Sequence, residues 1–346
     1  MSALRETLKK SNAARTAVAA ARFVKAYRVY AATGETPDYG YHSARHLYFA
    51  TNKKFYELYA GLENFRSRTR KPILTNPVGV LGDMSAGGQG LATVMHNIRE
   101  QGYHQFSTRL KPELCDALID FARTVPSKPR IPGYEHKRVV YDRNNLVANL
   151  YDFDPQVLLE HPIIQDLITD ESLIAAAVEF LGPSAKLHNV AMWWSNADFH
   201  NVSKDGAAQL YHVDMDTIRW VNFFFYLTDV GTENGPHCYV ARSHRIAPKE
   251  VYRDGRISDE EVAAHFKPED MVELTGLKGT ILMVDTTGLH KGKALTSGER
   301  LMMQIRFAVN YFGAGAPKKV HINDKFSSEF LQKIERNKAL YAGGYF

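Results

Sequence analysis

YHVDMDTIRWVNFFFYLTDVGTENGPHCYVARSHR, Tyr211 to Arg245, sets a histidine and two aspartates directly ahead of one of the most apolar runs in the chain. Residues two apart on a β-strand project to the same face, so His212 and Asp214 can present an imidazole and a carboxylate side by side. Behind them Asn222, Phe224 and Tyr226 alternate with Val221, Phe223, Phe225 and Leu227, as in a strand buried on both faces. GTENGP supplies a tight turn, and HCYVARS a new strand that folds back beside the first. Alone, the pair says little: about one His-x-Asp arises by chance in a chain of this composition, and a hydrogen-bonded histidine and aspartate at a strand mouth explain it more simply.

The context changes that balance. In GLKGTILMVDTTGLHKGKALTSGERLMMQIRF, His290 follows an apolar strand and Arg300 heads the next one. Two histidines and a carboxylate on one face of an octahedral ion, the opposite face open, form the ligand set of non-haem Fe(II) oxygenases. Three protein ligands hold the iron and leave three positions for a bidentate 2-oxo acid and dioxygen. An arginine matters because its planar fork grips a carboxylate through two parallel charge-assisted hydrogen bonds. Arg306 competes with Arg300 for that role, since both share a strand face with Met302 and Gln304. Asn222 and Tyr226 can line the same cavity as hydrogen-bonding groups, or can simply fill the barrel. Asp216 reads as a cap or turn residue. Trp193, Trp194 and Cys115 read as core or rim, and His200, His237 and His244 lack partners at ligand spacing.

From about Gly102 to Phe312 the motifs YHVDMD, YLTDV…NGPHCYVARSHR, GTILMVDTTGLHKG and SGERLMMQIRF, in that order, resemble the phytanoyl-CoA dioxygenase family of Fe(II)/2-oxoglutarate-dependent oxygenases. The resemblance implies a double-stranded β-helix, the jelly-roll or cupin-like barrel, with iron on His212, Asp214 and His290. It places the 5-carboxylate of 2-oxoglutarate on Arg300, with Asn222, Tyr226 and Arg306 as further candidates, and needs no catalytic side chain beyond the metal ligands. Dioxygen is the second co-substrate; succinate and CO2 are the products. Halogenating members carry a small residue in place of the carboxylate, so Asp214 implies hydroxylation of a small molecule or of a lipid- or sugar-linked biosynthetic intermediate. The same site can serve desaturation, cyclisation or epimerisation. A jelly-roll binding or adaptor protein is the non-enzymatic alternative, disfavoured because a binding site needs no open metal positions.

The remaining features bound the setting. The chain of 346 residues is 45% hydrophobic and holds two cysteines, Cys115 and Cys238, too few for a disulfide framework or a four-cysteine zinc site. No apolar run of about 18 residues occurs and no signal-peptide core is visible, which leads us to expect a soluble, cytoplasmic protein. The net charge of +5 conceals an excess of Lys and Arg before residue 80. Residues 11–32 read as an alanine-rich helix with Ala20, Phe23, Tyr27 and Tyr30 on one stripe and Arg15, Arg22, Lys25 and Arg28 roughly opposite. Packing of that stripe on the protein body is the simpler expectation; peripheral contact with an anionic membrane is the alternative, and the basic segment also hints at an anionic substrate. RSRTRK (66–71) lacks the interleaved aromatics of a nucleic-acid site. Helices first and many short strands afterwards predict an α+β protein: a basic, mainly helical N-terminal extension over 1–100 and a double-stranded β-helix oxygenase domain over 101–346.

Overall fold

The structure, a computed structural model, describes residues 12–199, 208–313 and 315–346. Three helices, Asn12–Thr33, Asp38–Ala50 and Lys54–Ser67, open the described chain. A two-stranded hairpin follows, β1 (Val78–Gly79) and β2 (Gly82–Asp83). The barrel strands are β3 (Tyr103–Arg109), β4 (Pro126–Pro129), β5 (Val139–Val140), β6 (Leu150–Asp152), β7 (Lys186–Asn196), β8 (Trp220–Tyr226) and β9 (His237–Val240). They continue as β10 (Met271–Leu274), β11 (Thr280–Val284), β12 (His290–Gly292) and β13 (Glu299–Ala308). Helices Pro112–Thr124, Glu171–Leu181 and Ser328–Arg336 pack outside. Helix Gln89–Gln101 leads into β3 through Gly102, whose positive φ of 91° is free of Cβ strain only in glycine.

The described strands form a major sheet of eight, in the order β3-β11-β8-β13-β7-β6-β4-β5, and a minor sheet of three, β10-β9-β12. Every pairing is antiparallel. Two facing antiparallel sheets, one large and one small, are the double-stranded β-helix the sequence pointed to.

The centre of the major sheet is buried on both faces, and strand register shows how. On β13, Arg300 stands opposite Ser195 of β7, Met302 lies between Trp193 and Tyr226, Gln304 between Ala191 and Phe224, and Arg306 between Asn189 and Asn222. These even-numbered residues of β13, with Phe224 of β8 and Trp193 and Ser195 of β7, line the barrel interior. The odd-numbered set, Leu301, Met303, Ile305 and Phe307 with Phe223, Phe225 and Trp194, belongs to a separate outer core beneath the helices. Trp194 shows the coupling, donating its indole N–H to the carbonyl of Ala122 at the end of helix Pro112–Thr124. Cys115, on the same helix, is a buried free thiol in that core.

The N-terminal helices dock on the barrel through aromatic rings. Phe23 meets Phe312 (ring centroids 5.0 Å), Phe55 (4.6 Å) and Tyr59 (5.5 Å). The Tyr30 hydroxyl accepts the backbone N–H of Tyr311, and Asn310 donates to the Tyr59 hydroxyl. The predicted stripe is therefore turned inward, with Ala19 and Ala26 buried beside Phe23, whereas Ala20 is exposed. Arg15, Arg22, Lys25 and Arg28 stay on the outer surface. Among the described residues no helix is long and apolar enough to cross a membrane. Removing the Phe23 ring empties the centre of this aromatic cluster, so Phe23→Ala should cost about 3–5 kcal/mol, read as a lower urea midpoint at unchanged slope.

Candidate metal centre

His212 and His290 meet across a short antiparallel bridge in which each backbone N–H donates to the other's carbonyl at 3.0 Å. A pair that exchanges both backbone bonds puts its side chains on the same face. The two imidazoles accordingly lie with ring centroids 4.4 Å apart. Each ring is also fixed in rotation and tautomer: His212 Nδ1–H donates to the carbonyl of Leu210 and His290 Nδ1–H to that of Gly288, both at 2.9 Å. The lone pair is left on Nε2, the atom a metal would use.

Asp214 completes the group. Its Oδ1 lies 3.6 Å from His212 Nε2 and 3.7 Å from His290 Nε2. The ligand atoms of the three residues all fall within 4.8 Å of one another, an arrangement that can hold a metal ion. The local route differs from the expected strand geometry. Tyr211 and His212 form isolated bridges, and the chain from Val213 to Met215 has left the sheet. Asp214 is placed instead by its own N–H, which donates to the carbonyl of Thr286 at 2.9 Å. Thr286 is itself pinned, its hydroxyl accepting from Trp220 Nε1 (2.7 Å) and Asn222 Nδ2 (2.8 Å).

Protonation states suit metal binding. Burial, then the neighbouring His212, pushes the His290 imidazole down to about 4, so it is neutral at physiological pH. Burial pushes the Asp214 carboxyl up, but the group lies well below the usual carboxylate range, with the permanent charge of Arg306 donating to its Oδ2. Neutral imidazole and ionised carboxylate are the forms that bind a divalent cation.

The two arginines on the inner face of β13 have different occupations. Arg306 is consumed by the protein: Nε donates to Asn222 Oδ1 (2.8 Å), Nη2 to Asp214 Oδ2 (3.2 Å) and Nη1 to the Asp216 carboxylate. It fixes Oδ2 of Asp214 and leaves Oδ1 facing the histidines. Asp216, expected as a cap or turn residue, is the third member of this network. Arg300 is buried in the same cavity, where Nη2 reaches Ser195 Oγ at 3.3 Å while Nε and Nη1 have no hydrogen-bond partner among the described residues. Burial lowers the tendency of its guanidinium to hold charge. A buried guanidinium with two unpartnered donors is costly unless an anion completes it.

The other candidates are placed as follows. Asn222 spends its amide on Thr286 and its oxygen on Gln304 and Arg306. Tyr226 donates to the carbonyl of Leu274 (2.7 Å) and accepts from the His237 N–H (3.0 Å), tying the two sheets together. Both are held behind the cavity wall. Trp194 is core and Trp193 lines the cavity; His244 is bound to the carbonyl of Arg99, and His200 lies outside the described residues. His237, which lacked a partner at ligand spacing, nevertheless lines the cavity; its position directly after the NGP turn was the available signal.

The cavity between the sheets has a volume of about 290 Å³ and holds the triad, Arg300, Phe224, Met302 and Gln304. A match to the phytanoyl-CoA dioxygenase family model runs over residues 98–302, more than half of the chain. The chain belongs to the phytanoyl-CoA dioxygenase family. It is therefore a non-haem Fe(II)- and 2-oxoglutarate-dependent oxygenase, and the His-Asp-His group is a fitting place for the iron. No curated relative matches the chain in sequence. Solved structures similar to it include the 2-oxoglutarate-dependent epimerase SnoN from nogalamycin biosynthesis, at 16% identity and a TM-score of 0.45, covering 63% of this chain and 82% of that one. HygX from Streptomyces hygroscopicus, solved with nickel, 2-oxoglutarate and hygromycin B, is similar at 14% identity and a TM-score of 0.45, covering 68% and 94%.

Arg306 gives a direct check on how Asp214 is held beside the two histidines. Arg306→Gln should release Asp214 and lower affinity for Fe(II), or for Mn(II) as a stable substitute, by about 10- to 100-fold, measured by calorimetric titration of the folded variant.

Proposed function

We propose that this oxygenase holds Fe(II) on His212 Nε2, His290 Nε2 and Asp214 Oδ1, anchors the distal carboxylate of 2-oxoglutarate on Arg300, and hydroxylates a small molecule. The observation that carries this reading is the buried Arg300 fork, with two donors unpartnered, in the same 290 Å³ cavity as three convergent ligand atoms. A charged group left uncompensated inside a barrel is destabilising, and a dicarboxylate bridging to the metal would satisfy it.

Bound iron supplies the oxidation, using dioxygen and the decarboxylation of 2-oxoglutarate to succinate. The residues of the chain orient and shield. The Nδ1–H bonds to Leu210 and Gly288 fix both imidazole planes, and Arg306 keeps Asp214 ionised and turned toward them. Phe224, Met302 and Trp193 give the cavity an apolar wall, which limits water near a reactive centre. Asp214 supports hydroxylation over halogenation, since it fills the position a halide would need. Asn222, Tyr226 and Arg306 serve as supports for this site, their polar atoms being committed within the protein.

The test is spectroscopic. Under anaerobic conditions the wild-type protein with Fe(II) and 2-oxoglutarate should show a weak visible charge-transfer band, absent in His212→Ala; succinate should form on admitting air. Folded wild-type protein without the band would overturn the assignment.

The outer face of helix Asn12–Thr33 supports a second, separate reading, a peripheral electrostatic contact with an anionic bilayer. Its aromatic stripe is committed to the barrel, while Arg15, Arg22, Lys25 and Arg28 are exposed. Each basic residue near such a surface contributes about 1 kcal/mol. The quadruple change to glutamate should abolish sedimentation with phosphatidylserine vesicles and spare 2-oxoglutarate turnover; unchanged sedimentation would remove this contact from the proposal.

A further inference from the structure

His237 is the buried polar side chain of the cavity that the scheme above leaves without a task. It opens β9, and its backbone N–H is tied to the Tyr226 hydroxyl. That bond joins the minor sheet to the major one and fixes where the imidazole stands. The ring packs nearly parallel to His290, with centroids 5.4 Å apart and planes at 19°, and against Phe224 at 5.0 Å. It is 6% exposed and lines the same cavity as Arg300. Its Nε2 has no hydrogen-bond partner, and no hydrogen bond occupies Nδ1 among the described residues.

Packing alone would not select histidine here. A leucine or phenylalanine would fill the space beside Phe224 and His290 without burying an unmade hydrogen bond. Unsatisfied buried side-chain groups are uncommon, and one in a cavity points to a missing ligand. The Arg300 fork, in the same cavity, is in the same condition among the described residues. Both groups stand near Tyr226: His237 through its backbone bond, and Arg300 two residues before Met302, which pairs with Tyr226 across the sheet. Two such polar groups, the Arg300 fork and the His237 ring, in a cavity whose wall also carries the His-Asp-His group, fit a ligand with a carboxylate remote from its metal-binding end.

We propose that His237 is a positioning residue for the co-substrate, donating a ring N–H to the distal carboxylate of 2-oxoglutarate beside Arg300. The protein then distinguishes a 2-oxo diacid from a 2-oxo monoacid through two buried donors, one cationic and one imidazole. His237 contributes nothing to the bond-breaking steps; it sets how tightly and in which pose the diacid is held. This inference rests on the oxygenase reading of the cavity.

The experiment is an anaerobic titration of the Fe(II)-loaded protein, followed through the visible band, with 2-oxoglutarate and with 2-oxopentanoate, which has the same chain length and no distal carboxylate. His237→Leu should weaken 2-oxoglutarate binding about tenfold or more, as loss of a hydrogen bond to a charged group does, and leave 2-oxopentanoate binding unchanged. His237→Gln, which keeps an N–H donor, should recover most of the loss. Equal weakening of both acids in the leucine variant, or no weakening of either, would show that the ring only packs on His290 and would overturn the proposal. A wild-type protein that gives no band with either acid would instead overturn the oxygenase reading on which it rests.

Discussion

The reciprocal backbone bonds between His212 and His290 are the constraint on which the rest of the site depends. They are main-chain bonds, so they set side-chain positions without reference to a metal. The major sheet delivers one partner, through the segment preceding β8, and the minor sheet delivers the other, at the start of β12. The contact between the two sheets and the juxtaposition of the two imidazoles are the same bridge. The Nδ1–H bonds to Leu210 and Gly288 then convert position into orientation, with each Nε2 turned inward.

Around that pair the barrel interior carries a dense set of charges that a core of this kind tolerates only when they are matched. Asp214 and Asp216 are both answered by Arg306, whose third donor goes to Asn222. Arg300, on the same strand face beyond Gln304 and Met302, has no carboxylate partner among the described residues. Matched charge makes a rigid support, whereas on the proposed reading the desolvation already incurred by Arg300 is recovered when an anion binds. His237 extends the logic to a neutral donor. The apolar Phe224 and Met302 between these groups keep the dielectric low, which strengthens each pairing.

Much of the architecture was legible from residue order. Alternation along WVNFFFYL and RLMMQIRF identified strands buried on both faces, because a sheet between a cavity and a layer of helices has no solvent side. The aromatic stripe of the first helix announced its docking face for the same reason. Periodicity alone did not separate Arg300 from Arg306, since a period of two gives both the same face and says nothing of partners; only the family resemblance favoured Arg300, and the Asp214 and Asp216 partners of Arg306 came from the fold. His237 was missed because its relation to His290 is diagonal across β9 and β12, a neighbour that pairing creates and spacing does not reveal.

What the sequence determined alone was chemistry and periodicity: two histidines, an aspartate and an arginine near strand ends, on strands that cannot face water, in an order that resembles one oxygenase family. Tertiary structure decided the rest. It replaced the presumed strand geometry of His212 and Asp214 with a bridge and a loop held by Thr286, engaged Arg306 with Asp214, Asp216 and Asn222 while leaving most of the Arg300 fork without a described partner, and moved His237 into the cavity. The physical reason is that local sequence fixes which face a side chain takes, whereas whether a buried polar atom is satisfied depends on residues that only the closed barrel brings within 3 Å.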